Sequence, residues 1–222
     1  MLVRFEPIKV DFRITTFGPA ARVVKRCLDL VAGCALLVLL GPLIAAIALL
    51  IRLTSPGPIF FEQRRCGRAG HSFGMLKFRT MVIDGDRILA NYLREHAEER
   101  LEWQRHHKLK SDPRVTSMGK WLRRYSLDEL PQLLNVIAGH MSLVGPRPIM
   151  EEEISKYGCR FNLYKQVPPG ITGLWQVSGR NHATYEQRVG LDERYVRDWS
   201  VWLDLYILIL TIRAVLTAEG AY

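Results

Sequence analysis

A chain of 222 residues with 48% hydrophobic side chains is long enough to bury one core of its own. Its formal net charge of +9, from 31 Lys+Arg against 22 Asp+Glu, favours an anionic partner: nucleic acid, an acidic membrane surface or a phosphorylated substrate. No zinc-finger spacing and no RNA-recognition pattern occurs, which sets nucleic acid aside. The four cysteines (Cys27, Cys34, Cys66, Cys159) form no C-x-x-C pair, as expected of reduced thiols in a cytosol-facing protein.

Residues 1–20 mix apolar, charged and Pro/Gly positions without sustained periodicity and read as an irregular arm. From Leu28 to Leu53 the chain is almost wholly apolar apart from Asp29 and Arg52. That run could cross a hydrocarbon layer of roughly 30 Å, and it starts too late and runs too long for a secretory signal. Both flanks are basic, with Arg22, Lys25 and Arg26 before and Arg52, Arg64, Arg65 and Arg68 after. The positive-inside rule places such flanks on the cytoplasmic side, and one straight span cannot put both there. Gly41-Pro42 sits mid-run, where proline removes a helical hydrogen bond and favours a bend. Two readings stay open on the residues alone: a kinked spanning helix, and a re-entrant hairpin whose ends share one face.

Pro56 and Pro58 end this segment. Ile59–Gln63 and Ser72–Met81 then read as short strands around the basic turn R-R-C-G-R-A-G-H. Period-two alternation puts Lys77 and Arg79 on one strand face, as solvated charges or as a phosphate-binding pair. Asp84 to about His107 reads as one exposed helix, K-L-K-S-D-P-R-V-T as a turn, and Gly119–Arg124 as a short basic helix with Trp121 and Leu122 on its apolar side. Arg123 and Arg124, being consecutive, cannot both face one site.

The stretch S-L-D-E-L-P-Q-L-L-N-V carries two adjacent acids, Asp128 and Glu129, with Leu130, Leu133, Leu134 and Ile137 behind them at helical spacing. The acids are therefore expected in a helix's first turn, where the macrodipole keeps carboxylates ionised. Ser126-x-x-Glu129 also fits a plain capping box, with Asp128 as an alternative cap because Pro131 prefers the helix start. Ionised carboxylates serve as nucleophiles or metal ligands; capped ones serve only the helix. Arg147 follows in M-S-L-V-G-P-R-P, as a solvated loop residue or an anion ligand.

Ile149 to about Tyr157 reads as a helix with an acidic start. Pro168-Pro169-Gly170 breaks the chain, and Ile171, Leu174, Trp175 and Val177 offer a packed strand. Ser178-Gly179 then makes a turn at which Arg180 and Asn181 could donate to an anion. A helix follows from about Tyr185 to Asp198. The last run, interrupted by Asp204 and Arg213, reads either as a helix in the membrane interface, with Trp199, Trp202 and Tyr206 at the headgroups, or as a core helix.

Three motifs in order, S-L-D-E-L-P-Q-L-L-N-V, M-S-L-V-G-P-R-P and P-G-I-T-G-L-W-Q-V-S-G-R-N, resemble the bacterial sugar transferases called monotopic phosphoglycosyl transferases. The resemblance runs from about Arg22 to Tyr222, and is greatest to the branch that loads a hexose phosphate onto undecaprenyl phosphate. It implies an α+β, mainly helical monotopic membrane protein: an arm (1–20), a re-entrant membrane helix (21–55) broken at Gly41-Pro42, and a cytosol-facing catalytic domain (56–222) with few short strands and amphipathic interfacial helices. In the family the break is a Ser-Pro pair; glycine replaces that serine here.

The implied reaction takes a sugar phosphate from a UDP-hexose (galactose or glucose) to undecaprenyl phosphate in the bilayer, releasing UMP. The implied setting is the cytoplasmic face of the bacterial inner (plasma) membrane, as the first membrane step of exopolysaccharide, O-antigen or capsule assembly. Asp128 would be the nucleophile and Glu129 its partner, with Mg²⁺ on both; Lys77, Arg79, Arg123, Arg147, Arg180 and Asn181 would bind substrate. A homodimer is a further expectation. UDP-N-acetylated sugars or an idle lipid-binding scaffold are the alternatives.

Overall fold

The computed structural model describes residues 18–106, 109, 111–178 and 184–217. The apolar run forms one helix, α1 (Pro19–Thr54), which continues through Pro42. Losing one N–H donor does not end a helix packed on both sides of the proline, so helical structure continues through Gly41-Pro42, with Pro42 the one position that lacks a backbone donor. At about 1.5 Å per residue α1 is about 54 Å long, more than the hydrocarbon core of a bilayer. It is the only helix among the described residues long and apolar enough to cross a membrane.

One stripe of α1 packs on the rest of the molecule. Ala21, Ala32, Leu36 and Leu40 meet the main core; Ile44, Ile47 and Ile51 meet a second cluster with Phe78 and Leu122. These positions recur every three or four residues, as one face of a helix requires. The opposite face, with Val31, Val38, Leu39, Leu49 and Leu53, is exposed and apolar. A large apolar face without a protein partner is what a lipid-facing helix presents. Both ends of α1 therefore dock on the same body.

After Pro56 and Pro58 come β1 (Phe60–Cys66) and β2 (Ser72–Phe78), an antiparallel hairpin with Phe60 opposite Phe78 and Cys66 opposite Ser72. The exposed segment then forms two helices, α2 (Gly85–Glu95) and α3 (Ala97–His106), where one was expected. His96 leaves the helical region (φ −121, ψ 97) and stacks on Tyr92 with ring centres 4.1 Å apart, which divides them. The next helix, α4 (Ser117–Arg124), is capped by Thr116, whose hydroxyl accepts from Gly119 N at 2.9 Å. Gly119 passes so close to the Thr80 carbonyl that a Cβ would overlap it. Leu122 is fully buried, but Trp121 is exposed, against expectation.

The central helix is α5 (Gln132–Ala138), followed by β3 (Ser142–Val144). Two helical turns, α6 (Ile154–Tyr157) and α7 (Phe161–Tyr164), lead to β4 (Gly170–Thr172), which runs parallel to β3 with Ser142 opposite Gly170. The strand expected to continue through Val177 ends at Thr172: Leu174–Val177 is a helical turn, α8. Gly145, just after β3, and Gly170, at the start of β4, approach so closely that a Cβ on either would overlap the other's backbone. Gly145 of the second motif and Gly170 of the third are thus explained by close backbone approach.

Helix α9 (Tyr185–Arg197) opens on a capping box between Thr184 and Gln187. Helix α10 (Val201–Thr217) buries Leu203 and Ile207 and exposes Trp202, Leu205, Tyr206, Ile209 and Ile212. It thus has a core side and an apolar outer side. Trp199 is buried instead of lying at a boundary, because its indole N–H donates to Asp204 at 3.1 Å. All four cysteines are free.

Candidate active site

The acid pair lies on a 3-10 turn, Leu127–Glu129, ahead of α5 and not in its first turn. Ser126 adopts a left-handed conformation (φ 55, ψ 23) and its hydroxyl caps nothing, so neither the capping box nor the helix-start expectation holds. A non-glycine residue at positive φ carries strain of order 1–3 kcal/mol, tolerated only where the surroundings fix it. Here they do: Leu127 and Leu130, flanking the acids, pack on the cluster of Ile47, Ile51, Phe78 and Leu122. The turn that presents Asp128 and Glu129 is pinned to the second half of the apolar helix.

Lys77, near the end of β2, comes to the acids. Its Nζ lies 2.7 Å from Glu129 Oε1 and 3.8 Å from Asp128 Oδ2. Asn135 on α5 sets that register, accepting from Leu76 N at 2.9 Å and donating to Gly74 O at 2.7 Å. Arg123 donates to Thr80 Oγ1 at 2.9 Å and is close enough to feel the Asp128 charge. Arg124 is exposed, beside the Tyr125 ring, so the two arginines diverge as expected. Burial pushes the Asp128 carboxyl up to about 6; Lys77 and Arg123 oppose that and Glu129 adds to it.

Arg79 is not part of this group. β2 ends at Phe78, so alternation lapses there, and the Arg79 guanidinium donates to Pro56 O and, at 2.8 Å, to Ser55 O. It caps the C-terminal end of α1, where a cation suits the helix dipole. Gly41 and Pro42 lie within α1. Arg180 and Asn181 lie outside the described residues.

Arg147 lines one cleft with Lys77, Glu129, Arg65 and Gln132. Its guanidinium sits 5.2 Å from the centre of the Trp175 ring. Arg188 lies 5.0 Å from the same ring on α9. Arg65, Trp175 and Arg188 were not singled out as site residues from sequence. The only signal in the residues was the paired arginines at 64–65.

The donor set suits Mg²⁺. Two adjacent carboxylates face a single ammonium group, and burial leaves Asp128 short of counter-charge. Among the described residues no group of three or more His, Cys, Asp or Glu gathers to hold a metal. Mg²⁺ takes one or two carboxylates and fills its octahedron with water and substrate phosphate, so two suffice.

Fold and site together define a membrane-associated protein that brings a half-buried carboxylate pair and several cations together, as an enzyme acting on phosphate would. The model of the family described as bacterial sugar transferase matches residues 20–218. The chain is 45% identical over 204 residues to the exopolysaccharide production protein ExoY of Rhizobium meliloti, covering 92% of this chain and 90% of that one. It is 42% identical over 217 residues to a UDP-glucose:undecaprenyl-phosphate glucose-1-phosphate transferase of Caulobacter vibrioides, covering 92% of this chain and 76% of that one. Identity to an undecaprenyl-phosphate galactose phosphotransferase of Salmonella typhimurium is 44% over 204 residues, 91% of this chain but 42% of that longer protein. The chain belongs to the bacterial sugar transferase family and is a sugar-phosphate transferase.

Proposed function

We propose that this chain transfers a hexose 1-phosphate from a UDP-hexose to undecaprenyl phosphate, through a phosphosugar attached to Asp128, with release of UMP. The observation that carries the reading is the lysine-bridged Asp128–Glu129 pair on a turn fixed to the apolar helix. A polar phosphate site so placed lies next to the bilayer, where a lipid phosphate sits. Relatives are named for galactose and for glucose, and both sugars are proposed substrates.

In the first step an Asp128 oxygen attacks the sugar-bearing phosphorus while Lys77 and Arg123 offset the charge gathering there. In the second, the lipid phosphate attacks that phosphorus and the Asp128 carboxylate is returned. Mg²⁺, held by Asp128 and Glu129, would supply positive charge to the phosphate oxygens. Glu129 keeps Lys77 oriented by the 2.7 Å contact. The proposed setting is the cytoplasmic face of the inner membrane, with α1 bending at Gly41-Pro42 to enter and leave on that side; the docking of both its ends on one body and its two basic flanks support this reading.

Two experiments test this. Incubation with UDP-galactose or UDP-glucose and Mg²⁺, without lipid, should add one hexose phosphate per chain by intact mass and release one UMP. Active protein that forms no adduct would point instead to direct attack by the lipid. Reporter cysteines at residues 20 and 70 should both be labelled from the cytoplasmic side alone; labelling from opposite sides would make α1 a span.

A further inference from the structure

Two buried amides stand one turn apart on α5 and are used differently. Asn135 is 4% exposed and is engaged at both ends by the hairpin, accepting from Leu76 N and donating to Gly74 O. Gln132 is 2% exposed, and its side chain forms no hydrogen bond with any described residue. Residues three apart on a helix share a face, so the strand backbone takes one amide of this face and leaves the other. Gln132 lines the cleft with Lys77, Glu129 and Arg147.

Buried amides are nearly always paired, because an unmade bond forfeits the hydration the group had in water. An apolar side chain of the same volume would fill this place at lower cost. The partner that Gln132 lacks therefore comes from the cleft. In the two-step transfer the sugar itself would lie there. Displacement at phosphorus runs in line, so the oxygen that leaves with UMP, and later the entering lipid phosphate oxygen, sit opposite Asp128. The sugar oxygen is an equatorial substituent, and its hexose lies to the side of the Asp128–phosphorus axis. Glu129 adjoins Asp128 on the 3-10 turn, and Gln132 opens α5 three residues later. A carboxamide holds a donor and an acceptor in one plane, which a hexose hydroxyl, or two neighbouring ones, can satisfy together. Phosphate offers acceptors alone, and Lys77 and Arg123 already stand near Asp128 to meet it.

We propose that Gln132 is a sugar-binding residue, its side-chain amide hydrogen-bonded to a hydroxyl of the transferred hexose in both half-reactions. The inference rests on the hexose 1-phosphate transfer proposed above. In the first half-reaction the Asp128–phosphorus bond forms as the bond to the bridging oxygen breaks, and that oxygen leaves with its electron pair on UMP. In the second, an oxygen of the lipid phosphate bonds to the same phosphorus, and the electron pair of the Asp128–phosphorus bond returns to the carboxylate. The bond between phosphorus and the sugar oxygen is never broken, so one hydroxyl contact serves throughout.

Binding to the purified full chain in detergent tests this, with Mg²⁺ and in an Asp128→Asn parent that keeps the donor intact. The probes are UDP-glucose and UDP-galactose, with UDP and UMP as sugar-free controls. UDP carries both phosphates, so it reports any contact of Gln132 with phosphate or uridine. Gln132→Met, similar in volume but without the amide, should weaken the tighter-bound UDP-hexose about tenfold and leave UDP and UMP unchanged. Its melting temperature should not fall, because no bond within the protein is lost. Monodeoxy UDP-hexoses probe the same contact with no change to the fold: one of them should bind the parent about tenfold more weakly and be indifferent to Gln132→Met. Equal losses for UDP and UDP-hexose would put the amide on phosphate or uridine and overturn the proposal. So would unchanged affinities throughout, or a full effect of Gln132→Met on every deoxy sugar. Sugar-selective loss with no Asp128 adduct in the wild type would leave the sugar contact standing and sink the two-step transfer. A wild-type adduct together with UDP-hexose binding that ignores Gln132→Met would do the reverse.

Discussion

Two clusters in this molecule share a composition, one lysine between two carboxylates, and differ in what surrounds it. Lys25 stands with Asp29 and Asp204, its Nζ 2.7 Å from Asp204 Oδ2 and 4.0 Å from Asp29 Oδ1. Lys77 stands with Glu129 and Asp128 at 2.7 and 3.8 Å. In the first cluster every carboxylate is supplied with donors. Ser142 Oγ and Leu143 N donate to Asp29 at 2.9 and 3.0 Å, and the Tyr195 hydroxyl and Trp199 indole lie 2.8 and 3.1 Å from Asp204. All three charged residues are at most 8% exposed.

That first cluster clamps α1 to β3 and α10, with Arg26 adding bonds to Val136 O and Ile137 O at the end of α5. The second cluster opens on a cleft, with side chains 13–33% exposed, and Asp128 is left with burial it has not been compensated for. A charge triad that is closed and hydrogen-bonded holds elements together. One that is open and under-supplied is ready for a ligand.

The comparison can be broken in four ways. The largest effect is on chemistry: Asp128→Asn should remove the sugar-phosphate adduct and cut turnover about a thousandfold or more, read by intact mass and UMP release. Asp29→Asn should still form the adduct in whatever fraction folds. Next, the same substitution at the two lysines should separate stability from activity. Lys25→Met leaves two carboxylates buried without their cation and should cost about 3–5 kcal/mol in detergent unfolding. Lys77→Met, at a partly open site, should cost under about 1 kcal/mol while losing most turnover.

The third test concerns pH. The Asp128 carboxyl rises from 3.8 to about 6 on folding, so the folded state holds that proton more tightly than the unfolded chain. Its contribution to stability therefore falls as pH rises through about 4 to 6. Without Mg²⁺ or nucleotide, Asp128→Asn should gain on the order of 2 kcal/mol above pH 6 and nothing below pH 4, in thermal unfolding across pH. A flat difference would mean that Lys77 and Arg123 fully offset the burial of Asp128. The smallest effect belongs to the exposed pair member. Arg124→Ala should change stability by under about 0.5 kcal/mol and leave turnover near wild type, whereas Arg123→Ala should lower turnover about tenfold.

Much of this was legible in the residues because it is local. The long apolar run, its basic flanks, the hairpin of β1 and β2 and the acid pair in its motif follow from composition, period and turn chemistry over a few residues. The errors fall where a local rule ran past its element. Alternation placed Arg79 beside Lys77, but the strand ends one residue earlier and Arg79 caps α1 instead. Helical spacing put Asp128 and Glu129 on α5, but Pro131 and a left-handed Ser126 set them on a separate turn. Trp199 looked like an interfacial aromatic until Asp204 claimed its N–H.

What the sequence by itself determined is that this chain carries one lipid-length helix, a basic surface and a carboxylate pair within sugar-transferase motifs. Only the tertiary structure decided which charges are structural and which are open. Lys25 meets Asp204 across 179 residues, and Lys77 meets Glu129 across 52. Neither pairing leaves a trace in local periodicity, because a salt bridge requires only that two side chains converge and sets no spacing between them. The same holds for Arg147 and Arg188 at the Trp175 ring: the loop after β3 and the helices α9 and α8 bring them together, and no local periodicity links them.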